Sequence, residues 1–146
     1  VTGVQTCALP NWPGESHLCP PAAVDFDGER ATDPVAAIRA LGDAIFHVHG
    51  KDVMVDHLNM AVNGCNDNKP YGEIPARAWT FRSIGYGHDA KAWKDIVSAL
   101  RLVGYDYVIS IEHEDAMMSQ AEGLAKGVAL LKEAGIFESA GAMFWA

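Results

Sequence analysis

Two short β-prone runs, each preceded by an amphipathic stretch that closes on a glycine, constrain this chain more than any other feature. They are Ala44-Ile45-Phe46-His47-Val48-His49 and Tyr107-Val108-Ile109-Ser110-Ile111-Glu112. Before the first, Asp33-Pro34 supplies an N-cap and a proline at the first helical position, where its missing N–H costs nothing. Val35, Ile38 and Leu41 then recur on one side, and Gly42 provides the stop. Before the second run, a helix beginning near Asp89 carries Trp93, Ile96, Val97 and Leu100 as its buried stripe and ends at Gly104. A last helix opens on the capping box Ser119-Gln120-Ala121-Glu122, continues through Leu124, Val128 and Leu131, and stops at Gly135. Residues 50–88, rich in Asn, Asp, Gly and Pro, read as one long loop, a kind of segment that is uncommon in compact domains and often functional. The order is helix, strand, long loop, helix, strand, helix. Such alternation argues for an α/β fold of parallel β/α units with helices packed outside the sheet.

Strand periodicity places Ile45, His47 and His49 on one face of the first run, with Phe46 and Val48 on the other. In the second run it groups Val108, Ser110 and Glu112 opposite Ile109 and Ile111. Both runs therefore end on a potential metal ligand, His49 and Glu112, at the C-terminal tip where parallel β/α sheets build their sites. A strand histidine is ordinarily a core or lumen residue, and a strand-end glutamate ordinarily faces solvent. Their occurrence at equivalent places in consecutive β/α units is what favours a metal. An imidazole nitrogen with a carboxylate oxygen suits Mn²⁺, Mg²⁺, Co²⁺ or Zn²⁺.

Composition narrows the classes further. The chain has 146 residues, 49% hydrophobic and 21% charged, which fits a globular domain but not the roughly 250 residues of a complete (β/α)₈ barrel. A formal charge of −8 disfavours nucleic acid and anionic membranes, since both need a basic footprint. Cys7, Cys19 and Cys65 are widely spaced and odd in number, supporting neither a disulfide framework nor a structural zinc site. No apolar run approaches the about 18 residues of a membrane span, and no signal peptide is evident, so a cytoplasmic location is expected. Residues 1–10 show no convincing helical or strand periodicity and resemble a translated sequencing-library adapter; the expectation is a non-native segment, with Val1 then no biological start. Residues 11–32 are broken by Pro13, Pro20 and Pro21. The apolar tail Met143-Phe144-Trp145-Ala146 is expected to dock against the fold or another subunit, which allows a homo-oligomer.

Ile45-Phe46-His47-Val48-His49-Gly50-Lys51-Asp52 resembles the HxHxKD strand of the sugar phosphate isomerase/epimerase family, the xylose isomerase-like barrels. Gly104-Tyr105-Asp106-Tyr107-Val108-Ile109-Ser110-Ile111-Glu112-His113-Glu114-Asp115 resembles that family's final-strand motif, GYDGxxSIEHED. The likeness extends to Phe81-Arg82-Ser83-Ile84-Gly85-Tyr86-Gly87-His88-Asp89 and covers the chain from about Asp33 onward. It implies that residues 11–146 are the C-terminal β/α units of a partial (β/α)₈ TIM barrel. In the family one divalent metal is held by two glutamates, an aspartate and a histidine at four strand ends. His49 corresponds to the histidine and Glu112 to the final-strand glutamate, while the first glutamate belongs to a strand outside this chain. Ser16-His17-Leu18 resembles the end of the family's DxxH motif, with His17 as the substrate-contacting histidine. The aspartate position there is Gly14, which has no side-chain ligand; Glu15, Asp25 and Asp27 are poor substitutes.

The resemblance implies a sugar (phosphate) isomerase or epimerase that moves a proton beside a carbonyl through an enediolate, aided by one divalent metal. Glu112 would serve as ligand and as one acid/base partner, with the other glutamate missing, so the chain alone is expected to be inactive. His47 would position its neighbours, Asp52 would support the metal shell, and Lys51 and Arg82 would contact substrate oxygens or phosphate. Gly85-Tyr86-Gly87 could offer backbone N–H groups to an anion. Trp79, Phe81 and Trp93 read as packing, and His88, Glu114 and Asp115 as loop residues. The expected substrate is a small sugar or polyol, with neither nucleic acid nor membrane as partner. An apurinic endonuclease branch of related barrels needs a DxH pair where this chain reads Trp79-Thr80-Phe81, which supplies no ligands. An inosose dehydratase or isomerase, or a non-catalytic barrel fragment, are the alternatives.

Overall fold

The computed structural model describes the backbone of residues 4–6, and residues 33–64 and 67–143. Within them the chain forms β1 (Val4–Thr6), α1 (Pro34–Leu41), β2 (Val48–Gly50), β3 (Asp52–Val55), α2 (His57–Asn63), β4 (Trp79–Arg82), α3 (Ala90–Leu102), β5 (Ile109–Ile111) and α4 (Gln120–Ala134), with 3₁₀ turns at Gly42–Ala44 and Tyr71–Ala76. This is a mixed α/β arrangement of helices and two small sheets, and the sheets do not close on themselves among the described residues.

The first sheet has the order β1-β2-β5. β2 and β5 run parallel, with Val48 opposite Ile109, His49 opposite Ser110 and Gly50 opposite Ile111. The pairing continues one step further, where the amide of Glu112 donates to the carbonyl of Gly50 at 2.9 Å. α3 lies between β2 and β5 in the chain, as a parallel connection requires. β1 pairs antiparallel with the other edge of β2. β1 lies in the stretch whose sequence shows no strand periodicity; three residues are too few for a period to register.

Each long helix is capped as its sequence dictates. Asp33 accepts from the amide of Val35, Asp89 from that of Ala92, and Ser119 from that of Glu122. Trp93, Ile96, Val97 and Leu100 are the buried stripe of α3. Trp93, Ile96 and Leu100 pack with Ile38 of α1 and with Ile45, Val48 and Ile84, and Ile109, Ile111, Leu130 and Leu131 lean on the same cluster. Each such side chain taken fully out of water contributes about 1.5–3 kcal/mol. Helices α1, α3 and α4 thus supply the apolar cover for β2 and β5.

Two expectations are corrected. The alternation does not extend back to Ala44. Ile45 joins Val48 in the core while Phe46 is 68% exposed, because residues 45–47 leave the 3₁₀ turn and are not yet paired. Residues 50–88 are also not one loop. They fold as an excursion in which β3 and β4 form an antiparallel pair, with α2 and a 3₁₀ segment between them. The turn-forming composition misleads because its polar side chains close the excursion from within. Asp56 caps α2 by accepting from Leu58 and Asn59. Asn59 donates to the carbonyls of Pro75 and Arg77, and Asp67 accepts from the amides of Lys69 and Ala78.

Candidate functional site

The parallel register builds a polar ladder on the face of β2 and β5 opposite Val48 and Ile109. Ser110 Oγ lies 2.9 Å from His47 Nε2 and 2.9 Å from His49 Nδ1. The two imidazole rings stand 4.6 Å apart at 60°. One step along, Lys51 Nζ donates to Glu112 Oε1 at 2.6 Å. His49 and Ser110 face each other in the ladder, and His47, Lys51 and Glu112 lie two residues along their segments from them. His47 and His49 thus meet at Ser110, and Lys51 meets Glu112.

Lys51 is buried, and its ammonium meets three groups. Besides Glu112, Glu114 Oε2 lies 3.1 Å away, and the Phe81 ring centroid is 4.1 Å away. Burial alone would pull the Lys51 ammonium down, but hydrogen bonds and charge from Glu112 and Glu114 outweigh it and hold it above its ordinary value. Lys51 therefore stays cationic at neutral pH. Glu112 keeps a third of its side chain exposed, and its second oxygen receives no hydrogen bond from a described residue.

The segment after β4 is held by two buried carboxylates. Asp52 is fully buried and accepts from the amides of Val53, Gly85, Gly87 and His88, from His88 Nδ1 at 2.7 Å, and from Trp93 Nε1 at 3.4 Å. Burial pushes this carboxyl up, but the His88 side chain, its backbone amide and charge, and the Gly85 amide more than reverse that, leaving it below its usual range. Asp115 accepts from the amides of Ser83 and Met117 and from Arg82 Nε at 3.2 Å. Burial opposes its ionisation too, and the same donors hold its carboxyl below the usual range.

These contacts revise several sequence expectations. The amides of Gly85 and Gly87 do bind an anion, but that anion is the protein's own Asp52. Gly85 takes φ +91°, open to glycine at little cost, and Gly87 abuts the backbone of Val53. Asp52 consequently serves the turn at 85–88 and has no oxygen turned to the His49–Glu112 pair. Arg82 is engaged by Asp115 and lies 5.7 Å from the Tyr86 ring. Trp93 is core, whereas Trp79 and Phe81 lie in β4, their rings 5.2 Å apart. His88, Glu114 and Asp115 lie outside regular structure, yet each is bonded. Nothing in their sequence setting distinguishes them from solvated loop residues; only the fold reveals their partners. His17, Gly14, Glu15, Asp25, Asp27, Cys7, Cys19 and Cys65 lie outside the described residues, as does the tail from Phe144; Met143 is exposed.

Two cavities lie near these elements. An open cleft of about 430 Å³ is lined by Tyr71, Phe81, His113, Glu114, Met118 and Gln120, and so adjoins the Lys51 end of the ladder. A larger one of about 630 Å³ lies between α3, α4 and β5, against Leu100, Ile109, Ile111 and Leu131. Its lining includes core-facing residues of β5, so size alone does not locate the chemistry. Among the described residues, no group of three or more His, Cys, Asp or Glu side chains is placed to hold a metal ion. Of the two ligands expected from the sequence, His49 has Nδ1 against Ser110 Oγ and Glu112 has Oε1 against Lys51 Nζ.

Over 101 residues, 69% of the chain, the sequence is 41% identical to uncharacterized protein YfiH of Bacillus subtilis (strain 168). The match covers 32% of that protein, so the chain spans about a third of the length of its relative. No family model matches the chain. No helix among the described residues is long and apolar enough to cross a membrane.

Proposed function

We propose that the chain carries one half of the metal site of a sugar (phosphate) isomerase/epimerase built on a xylose isomerase-like (β/α)₈ barrel, with β2 and β5 as two of its parallel strands. The supporting observation is the β2–β5 register, which puts a histidine and a glutamate on one face of two adjacent parallel strands, at the end where such sheets hold their ligands. His49 and Glu112 would be two of the metal donors. A divalent ion held there would supply Lewis-acid polarisation of the substrate carbonyl. The chain's own groups do the rest. Glu112 would be one of two acid/base carboxylates, the other from elsewhere in the barrel: one removes the proton from the carbon beside the carbonyl, one returns a proton to the neighbouring carbon, and the hydroxyl proton passes to the former carbonyl oxygen. Lys51 remains charged beside Glu112 and offsets the negative charge that develops on the substrate oxygens as the enediolate forms. The 430 Å³ cleft beside Glu114 is of a size to take a small sugar or polyol. A cytoplasmic enzyme with no nucleic-acid partner fits this chemistry and the net charge of −8.

Isothermal calorimetry with Mn²⁺, Mg²⁺, Co²⁺ and Zn²⁺ tests the metal half of the reading. Weak one-to-one binding that is lost in both His49→Ala and Glu112→Gln is expected. Binding that neither substitution alters would sink it. The reaction itself is tested in a longer form that supplies the remaining strands, incubated with ketoses and inososes in heavy water. Deuterium gained beside the carbonyl marks an isomerase or epimerase, loss of water marks an inosose dehydratase, and neither marks a non-catalytic fragment.

A further inference from the structure

Ser110 touches three groups at once. Its Oγ lies 2.9 Å from Nε2 of His47, 2.9 Å from Nδ1 of His49 and 3.4 Å from the carbonyl oxygen of Val48. A hydroxyl has one proton to donate and two lone pairs with which to accept, and a carbonyl can only accept. One assignment makes all three contacts together. The hydroxyl proton goes to Val48, and each imidazole donates an N–H to Oγ. His49 then carries its proton on Nδ1 and leaves Nε2 bare, while His47 carries its proton on Nε2 and leaves Nδ1 bare. The ladder keeps Ser110 directly opposite His49, so the hydroxyl is held in place by backbone pairing rather than by a flexible loop.

We infer that Ser110 is a positioning residue that locks His49 in its Nδ1–H tautomer, through the hydroxyl it shares with His47, and thereby keeps the Nε2 lone pair available as a donor. Histidines that ligate metals hold the ring N–H away from the metal in this way, by donating it to a neighbouring acceptor. The use made of the bare nitrogen rests on the metal reading above. The tautomer rests only on the three contacts.

The test is imidazole side-chain nitrogen NMR on the whole metal-free chain, at a pH where both histidines are neutral. His49 is expected in the Nδ1–H form and His47 in the Nε2–H form. Ser110→Ala should release His49 into a mixture of tautomers, and Ser110→Thr, which keeps the hydroxyl, should preserve the wild-type pattern. A merely structural serine would alter stability without changing the tautomer. His49 found in the Nε2–H form, or unchanged in a folded Ser110→Ala, overturns the inference. If Ser110→Ala does not fold, the wild-type and Ser110→Thr spectra still decide. Titration with Mn²⁺ separates the two readings. Where the wild type binds, Ser110→Ala should bind about 10–100-fold more weakly and Ser110→Thr should not. A wild type with the Nδ1–H tautomer that binds no Mn²⁺ refutes the metal reading and supports the lock.

Discussion

Replacing Asp52 by asparagine keeps the shape of a fully buried side chain and removes its charge and one acceptor oxygen. If the new NH₂ takes the place of Oδ2, it confronts the amides of Gly85 at 2.8 Å and Gly87 at 3.1 Å, and the indole of Trp93 also loses its acceptor. If it takes the place of Oδ1, it confronts the amide of Val53 at 2.9 Å, and the bond from His88 Nδ1 at 2.7 Å loses its charged acceptor. Either orientation deprives at least two donors of a charged partner. Hydrogen bonds to charged groups contribute about 1.5–3 kcal/mol each, so Asp52→Asn should cost about 3–6 kcal/mol. That is a large part of the 5–15 kcal/mol typical of a folded domain. Urea denaturation measures it as a lowered midpoint at unchanged slope. Hydrogen exchange at the amides of Gly85, Gly87 and His88 should quicken in step. A midpoint shift worth less than about 0.5 kcal/mol, the range of an indifferent surface change, with those amides still protected, would refute the reasoning.

Acid sensitivity follows from the same carboxylates. Asp52 and Asp115 both ionise more readily in the folded chain than in the unfolded one. Their contribution is therefore fully present above the unfolded Asp value of about 3.9, and is lost as the pH falls through their lower folded values. Urea midpoints should fall steeply below about pH 4, and less steeply in Asp115→Asn; equal slopes would contradict the assignment. Gly123→Ala tests the approach of α4 to the loop after β5. A Cβ at Gly123 would overlap Nε2 of His113 and Oγ of Ser83, so overpacking should cost about 1–3 kcal/mol. A gain of about 1 kcal/mol, the value expected from helix propensity alone, would show that the contact is not tight.

The three helices α1, α3 and α4 and the strands β2 and β5 were legible because local signals sufficed for them. Asp33, Asp89 and Ser119 cap the helices they precede, and the Trp93 stripe has only one face on which to be buried. His49 and Glu112 fall on one face because a strand period of two leaves no alternative once β2 and β5 pair in parallel. The excursion between β3 and β4 was hidden because its order comes from side-chain bonds between residues far apart in the chain, such as Asn59 to Arg77. Asp52 was misplaced for a related reason. Its position beside Lys51 suggests the ligand cluster, but its carboxylate is enclosed by a turn more than 30 residues later in the chain. The ion pairs of Lys51 with Glu114 and of Arg82 with Asp115 are likewise non-local.

His49 and Glu112 are the two proposed donors, and paramagnetic broadening of NMR signals by substoichiometric Mn²⁺ tests them even where binding is weak. Broadening should centre on residues 49–51 and 110–114 and should disappear from both in His49→Ala. Broadening centred instead on exposed carboxylates such as Glu122 and Glu133, and untouched by His49→Ala, would contradict the assignment of a metal site to the ends of β2 and β5.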